Sequence, residues 1–180
     1  MEKLLDFVFA NKWLIQGKNF LPLYNNLMED YYITNNEEFC PGKLTKFFED
    51  LKINPLDYTD GEVPIGCFFE YEFNRRDYIL PSNITKIRNS AYAYATGFER
   101  FFASEGLKEI GLFVFNECTN LKHIYLPKSL TEIPEGTFIN EGIKDLVIHT
   151  PINSVAWKYA EKHHITRDNV YWYPRGLNRK

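Results

Sequence analysis

A spacing of 23 residues recurs through the middle of this 180-residue chain, and it limits the folds that the chain can adopt. A unit of this length cannot bury its apolar face alone, so neighbouring units must stack and cover one another. The period therefore predicts a solenoid. Five series of mostly apolar residues share the spacing in phase: Ile84, Leu107 and Leu130; Ile87, Ile110 and Ile133; Tyr92, Phe115 and Phe138; Tyr78, Phe101 and Ile124; and Leu80, Ala103 and Leu126.

Residues 121–138 show the repeating unit most clearly. In LKHIYLP, Ile124 and Leu126 fall on one face of a short strand, because side chains alternate along a strand. Pro127 cannot donate to a strand ladder and turns the chain. A second apolar ridge follows, and Phe138 fills the unit as an aromatic plug. Each unit is thus predicted to add one strand to a parallel ladder, about 4.8 Å from the next strand.

Three segments resemble BspA-like leucine-rich repeats, a class found in bacteria and phages: LPSNITKIRNSAY (80–92), GLKEIGLFVFNECTNLKHIYLPKSLTEIPEGTF (106–138) and GIKDLVIHTP (142–151). The resemblance covers roughly residues 78–151. It implies an α/β repeat fold, a short leucine-rich repeat solenoid, and a protein that binds another protein without catalysing a reaction.

Two segments depart from that pattern. ATGFERFFASE (95–105) has aromatic and small residues in place of the usual strand. VPIGCFFEYEF (63–73) is a candidate degenerate earlier unit, since Phe69 precedes Tyr92 by one full period. We therefore expect about three well-formed rungs in the ladder.

The chain divides into three parts by pattern. Residues 61–151 are assigned to the solenoid. Residues 1–60 form a predicted helical N-terminal region of three short helices, at 2–15, 19–32 and 42–53, where apolar residues recur with helical spacing. These helices are interpreted either as a cap or as an independent domain.

Residues 152–180 contain a predicted helix, SVAWKYAEKHHI (154–165), followed by a basic aromatic tail. Its apolar residues recur at a spacing of four, which is typical of a helix. Similar helices close repeats of this class, so the resemblance implies a C-terminal cap.

Charge is distributed unevenly along the chain. The formal net charge is −3; residues 1–73 carry 6 basic and 13 acidic side chains (−7), and residues 74–180 carry 15 and 11 (+4). Such asymmetry can steer a charged partner. The three cysteines form no CxxC pair, which favours a reducing, cytoplasmic compartment, and no apolar run has the length of a membrane span.

No catalytic motif or metal-ligand pattern stands out, and we predict no enzyme activity, cofactor or metal. His163 and His164 are adjacent on the predicted helix, so they point about 100° apart and chelate one ion poorly. Cys118 is interpreted as a buried, inert thiol. His123 is predicted to face solvent from a strand.

Partner binding is the function that these features favour. The predicted contacts are acidic residues of the N-terminal half and outward side chains of the ladder: Glu37, Glu38, Glu70, Glu72, Lys122, His123, Tyr125 and Lys144. The leading hypothesis is an intracellular protein-binding module, such as a phage or bacterial inhibitor of a host or defence protein. The alternatives are a surface adhesin and a nucleic-acid-binding protein that uses the basic C-terminal half.

Overall fold

Short parallel strands, stacked coil upon coil, form two sheets in the described part of the chain. A computed structural model describes residues 54–138 and 143–169, together with Thr45, Lys46 and Glu49. The first sheet has three strands, in the order β1 (Glu62–Val63), β3 (Lys86–Ile87) and β5 (Glu109–Ile110). The second has five, in the order β2 (Asp77–Ile79), β4 (Arg100–Phe102), β6 (His123–Tyr125), β7 (Val147–His149) and β8 (Thr166–Asp168). All neighbouring strands are parallel, which confirms the predicted solenoid.

The register of the five-stranded sheet follows the period of the sequence. Tyr78 pairs with Phe101, and Phe101 pairs with Ile124, so each step equals one period. Ile124 pairs with Ile148, a step that is one residue longer. These side chains point inward and are buried. The sequence suggested that residues 95–105 lack the usual strand. The structure corrects this expectation, because these residues contain β4. Phe101 fits there because a buried aromatic ring fills the same layer as an isoleucine.

Stacked rings form the centre of the core. The ring of Phe115 lies between those of Tyr92 (centroids 5.6 Å apart, 13° between planes) and Phe138 (5.5 Å, 12°). Phe68, not Phe69, continues this stack, with its ring 5.0 Å from that of Tyr92. The prediction of Phe69 was wrong because the step from β1 to its partner β3 is one residue longer than the period.

Backbone amides alternate their partners in the turn that follows the three-stranded sheet. The amide of Phe68 donates to the carbonyl of Ala91 in the next coil (2.7 Å), whereas the amide of Phe69 donates to Gly66 within its own coil (2.9 Å). Left-handed backbone recurs along these turns, at Gly66, Ser90 and Phe113 and again at Glu70, Tyr94 and Glu117, with φ between 54° and 62°. Glycine adopts this conformation freely, but a bulky residue does so at a cost.

One glycine is required by close packing between coils. Gly97 has φ of +86°, and a Cβ built on it would lie 1.9 Å from the carbonyl oxygen of Phe73 in the preceding coil. No side chain can occupy that space without moving the backbone. Gly97 therefore allows the two coils to approach at this level.

A helix closes the C-terminal end of the stack, as predicted. Helix α1 (Val155–Lys162) begins after Ser154, whose hydroxyl accepts a hydrogen bond from the amide of Trp157 (3.0 Å). Tyr159 packs edge-on against Phe138, with centroids 5.8 Å apart, and its hydroxyl donates to the carbonyl of Glu135. The helix ends before the predicted boundary at residue 165, and the chain then adds β8 to the sheet.

The predicted N-terminal helices lie almost entirely outside the described residues, so they stay predictions. Thr45, Lys46 and Glu49 are helical, in agreement with the third helix. The hydroxyl of Thr45 donates to the carbonyl of Cys67, and the hydroxyl of Tyr71 donates to Glu49, so this segment contacts the first coil. Within the part of the chain that the structure describes, no helix is long and apolar enough to cross a membrane.

Candidate interaction surfaces

The outward side chains of the five-stranded sheet form two parallel columns. One column contains Asp77, Arg100, His123, Val147 and Thr166; the other contains Ile79, Phe102, Tyr125, His149 and Asp168. We call this surface the strand face. It has five rungs where the sequence indicated about three, since neither the strand at Arg100–Phe102 nor the one after α1 was recognised.

Stacked rings run along the second column of the strand face. Phe102 stacks on Tyr125 (centroids 4.4 Å apart, 13° between planes), and Tyr125 stacks on His149 (4.2 Å, 8°). Phe102 and His149 are only 5% and 8% exposed, whereas Tyr125 is half-buried. This column is therefore largely covered. Its rings help to hold successive strands together and offer a partner little free apolar area.

The first column of the strand face carries a tight ion pair. Arg100 donates two hydrogen bonds to the carboxylate of Asp77, from Nε (2.5 Å) and Nη2 (2.6 Å). These bonds raise the pKa of Arg100 above its ordinary value. A bidentate pair of this kind fixes both side chains across two strands.

Two histidines meet between β6 and β7. His123 Nδ1 lies 3.1 Å from His149 Nε2, and His149 Nδ1 lies 3.6 Å from the carboxylate of Asp168. Burial, and next the imidazole of His123, lowers the pKa of His149. The outward position predicted for His123 is confirmed. Among the residues described, His, Cys, Asp and Glu form no group of three suited to a metal ion.

Cys118 is buried, as predicted, and its thiol donates to the carbonyl of Tyr92 (3.0 Å). Burial raises the pKa of this thiol above its ordinary value. The side chain therefore serves packing, since the reactive thiolate is disfavoured.

The turns of two neighbouring coils expose large apolar side chains. Tyr94 is 46% exposed, Leu112 40% and Phe113 51%, all in turns that follow the three-stranded sheet. The ring of Phe69 lies 5.3 Å from that of Tyr94 in the next coil. Three carboxylates share these turns. We call the surface formed by Phe69, Glu70, Glu72, Tyr94, Leu112, Phe113 and Glu117 the aromatic–acidic edge.

The structure separates the predicted contact residues into groups. Glu70 and Glu72 lie on the aromatic–acidic edge, and both are exposed. His123 and Tyr125 lie on the strand face, with Lys122 exposed just before β6. Lys144 is exposed in the segment before β7. Glu37 and Glu38 lie outside the described residues.

Sequence reasoning missed the exposed apolar residues of the edge. Tyr94 and Phe113 are two residues away from the core aromatics Tyr92 and Phe115, and on composition alone all four look like core. A signal was nevertheless present. At the period of the repeat, Phe113 aligns with Ser90 before it and Gly136 after it, so a large residue there is an exception.

Several basic side chains of the described region are paired locally. The ion pairs are Arg76–Glu99, Lys86–Glu109, Arg88–Glu62, Arg100–Asp77, Lys162–Glu135 and Arg167–Glu161. The positive charge of these side chains is therefore balanced locally.

Paired strands from β1 to β7 are separated by 23 or 24 residues, and their inward side chains form apolar columns. These two features define a leucine-rich repeat solenoid. A family model described as "BspA type Leucine rich repeat region (6 copies)" matches residues 46–166, more than half of the chain. The chain belongs to this family, and the repeats extend beyond the range 78–151 that the sequence had indicated. No curated protein and no solved structure matches the chain. The family suggests a protein-interaction module in general terms.

Proposed function

We propose that this chain is a non-enzymatic protein-binding module whose partner contacts the aromatic–acidic edge. The observation that carries the proposal is the exposure of Tyr94, Leu112 and Phe113, each 40% or more, in neighbouring coils. Aromatic side chains are enriched at the centres of protein interfaces, because they combine large contact area with few rotatable bonds.

Phe113 supports the proposal most directly. Its backbone is left-handed, with φ of 56°, and its positional equivalents are Ser90 and the glycines Gly66 and Gly136. A bulky residue in this conformation costs about 1 to 2 kcal/mol. One side of the ring covers Gly136 of the next coil, and the rest of the ring is exposed to solvent. The exposed part of the ring therefore offers apolar area to a partner outside the chain.

The pairing of basic residues supports a protein partner over nucleic acid. A nucleic-acid surface needs cations that are free to meet phosphates. On the strand face, Arg100 is bound by Asp77. Just before the strands, Arg76 and Lys122 lie within 4 Å of Glu99. A blocking role inside the cell, against a host or defence protein, is the finer form of the proposal; secretion as an adhesin is its alternative.

Affinity capture with matched variants tests the proposal. The tagged protein is incubated with lysate of its source, and Phe113→Gly and Tyr94→Ser are compared with Ile152→Ser. Ile152 is the control because it is similarly exposed (53%) but lies in the segment between β7 and α1 and is not part of the aromatic–acidic edge. We expect a stoichiometric protein partner that Phe113→Gly and Tyr94→Ser lose and Ile152→Ser retains. A partner retained by both edge variants would exclude this surface.

A further inference from the structure

We propose that the partner presents an arginine-bearing segment to the aromatic–acidic edge. The inference rests on the proposed function and adds the chemistry of the partner. It stands on three features of the edge: exposed aromatic rings, the carboxylates of Glu72 and Glu117 beside them, and the spacing between the two.

The charge of the edge has a single sign. The turn segments 66–72, 90–96 and 113–119 contain Glu70, Glu72 and Glu117 and no Lys, Arg or His. Elsewhere in the described chain, four carboxylates on the coils are each paired with a Lys or Arg: Glu62, Asp77, Glu99 and Glu109. Neither Glu72 nor Glu117 forms an ion pair within the part of the chain that the structure describes. A partner that covers these rings therefore meets negative charge at their borders.

The stacking of the coils sets the distance between ring and carboxylate. The amide of Glu70 donates to Ala93 (3.0 Å), and the amide of Tyr94 donates to Asn116 (2.7 Å). These bonds place Glu70, Tyr94 and Glu117 in one column, at the same left-handed position of three successive coils. Adjacent positions in such a ladder are about 4.8 Å apart. The exposed ring of Tyr94 thus lies one coil from Glu117, whose carboxylate is the one that a stacked cation would meet.

Arginine is the side chain that suits this arrangement. Its planar guanidinium stacks on an aromatic face and still donates hydrogen bonds to a carboxylate at its edge. The ammonium of lysine is a compact, strongly hydrated charge and combines the two contacts less well. The chain itself contains an example: Arg167 lies 4.8 Å from the ring centroid of Trp157 and donates to Glu161 at 2.7 Å.

Fluorescence anisotropy with labelled nonaarginine and nonalysine peptides tests the inference. The variant is Glu72→Gln/Glu117→Gln; the control is Glu105→Gln/Asp145→Asn, which changes net charge equally at exposed positions off the edge. We expect the edge variant to weaken nonaarginine binding about 3- to 10-fold, from two exposed ion pairs, and the control less than 2-fold. Tyr94→Ser is expected to weaken nonaarginine more than nonalysine.

Equal weakening by the edge and control variants would show that only net charge attracts the peptide, and it would overturn the inference. Equal effects of Tyr94→Ser on the two peptides would overturn the choice of arginine. The proposed function fails on a different result, retention of the captured partner by both Phe113→Gly and Tyr94→Ser. If that partner is lost while nonaarginine binds the edge variant normally, the edge binds a protein that is not arginine-bearing.

Discussion

Replacing Phe115 with alanine tests whether the ring stack holds the solenoid together. Phe115 is fully buried, and its ring contacts three others: Tyr92 and Phe138 face to face, and Phe101 edge-on at 4.9 Å. Phe113, two residues earlier in the same coil, is half exposed and provides the matched control. The two substitutions remove the same atoms from opposite sides of one turn.

The expected loss of stability follows from these environments. Truncation of a buried Phe to Ala costs about 3 to 5 kcal/mol, and each favourable aromatic pair contributes about 0.5 to 1.5 kcal/mol beyond burial. We therefore expect Phe115→Ala to lower the free energy of unfolding by about 4 to 5 kcal/mol. Phe113→Ala is expected to change it by less than about 1 kcal/mol, because half of its ring is already in water.

Urea unfolding followed by circular dichroism measures both changes. With a slope of about 2 kcal/mol per M, a loss of about 4 kcal/mol moves the midpoint by about 2 M. Phe115→Leu keeps a buried branched side chain, and we expect it to lower the free energy of unfolding by about 1 to 2 kcal/mol. This variant provides a measurable change in stability if Phe115→Ala does not fold. Similar losses for Phe113→Ala and Phe115→Ala would refute the assignment of inward and outward rings.

Three further predictions concern single residues. Gly97→Ala is expected to cost about 2 to 4 kcal/mol in chemical unfolding, because its left-handed backbone and the neighbouring carbonyl leave no space for Cβ; a neutral result would contradict the close approach of the coils. Tyr92→Phe removes the hydroxyl that donates to Tyr78 (3.0 Å) and is expected to cost about 1 to 2 kcal/mol, measured in the same assay. The pKa of His149 is lowered in the folded protein, so folding favours the neutral imidazole. The contribution of His149 to the free energy of unfolding is therefore present in full above the pKa of about 6.5 that histidine has in the unfolded chain. That contribution declines as the pH falls from this value towards the lower pKa of the folded state. The free energy of unfolding, measured from pH 8 to pH 5, should therefore fall more steeply for the wild type than for His149→Gln. Parallel pH dependences of the two proteins would contradict the role of His149.

Much of the fold could be predicted because the residues of the inward columns recur at a constant interval. Tyr78, Phe101 and Ile124 share no chemistry beyond being large and apolar, yet their equal spacing identified them as one layer. The period also indicated the stack of Tyr92, Phe115 and Phe138. The position of α1 followed from apolar residues at helical spacing. The features that predicted these elements either lie close together in the chain or repeat at a fixed separation.

Register, exposure and ion pairing depended on the tertiary structure. The coil between β1 and β3 is one residue longer than the period, which moved the core position from Phe69 to Phe68. Strand β8 joined the sheet only because α1 folds the chain back onto β7. Tyr94 and Phe113 have the composition of core residues, but their left-handed turns direct them to solvent. The sequence by itself determined which residues recur. The stacking of coils decided which of them face inward, because burial depends on neighbours a full repeat away in the chain.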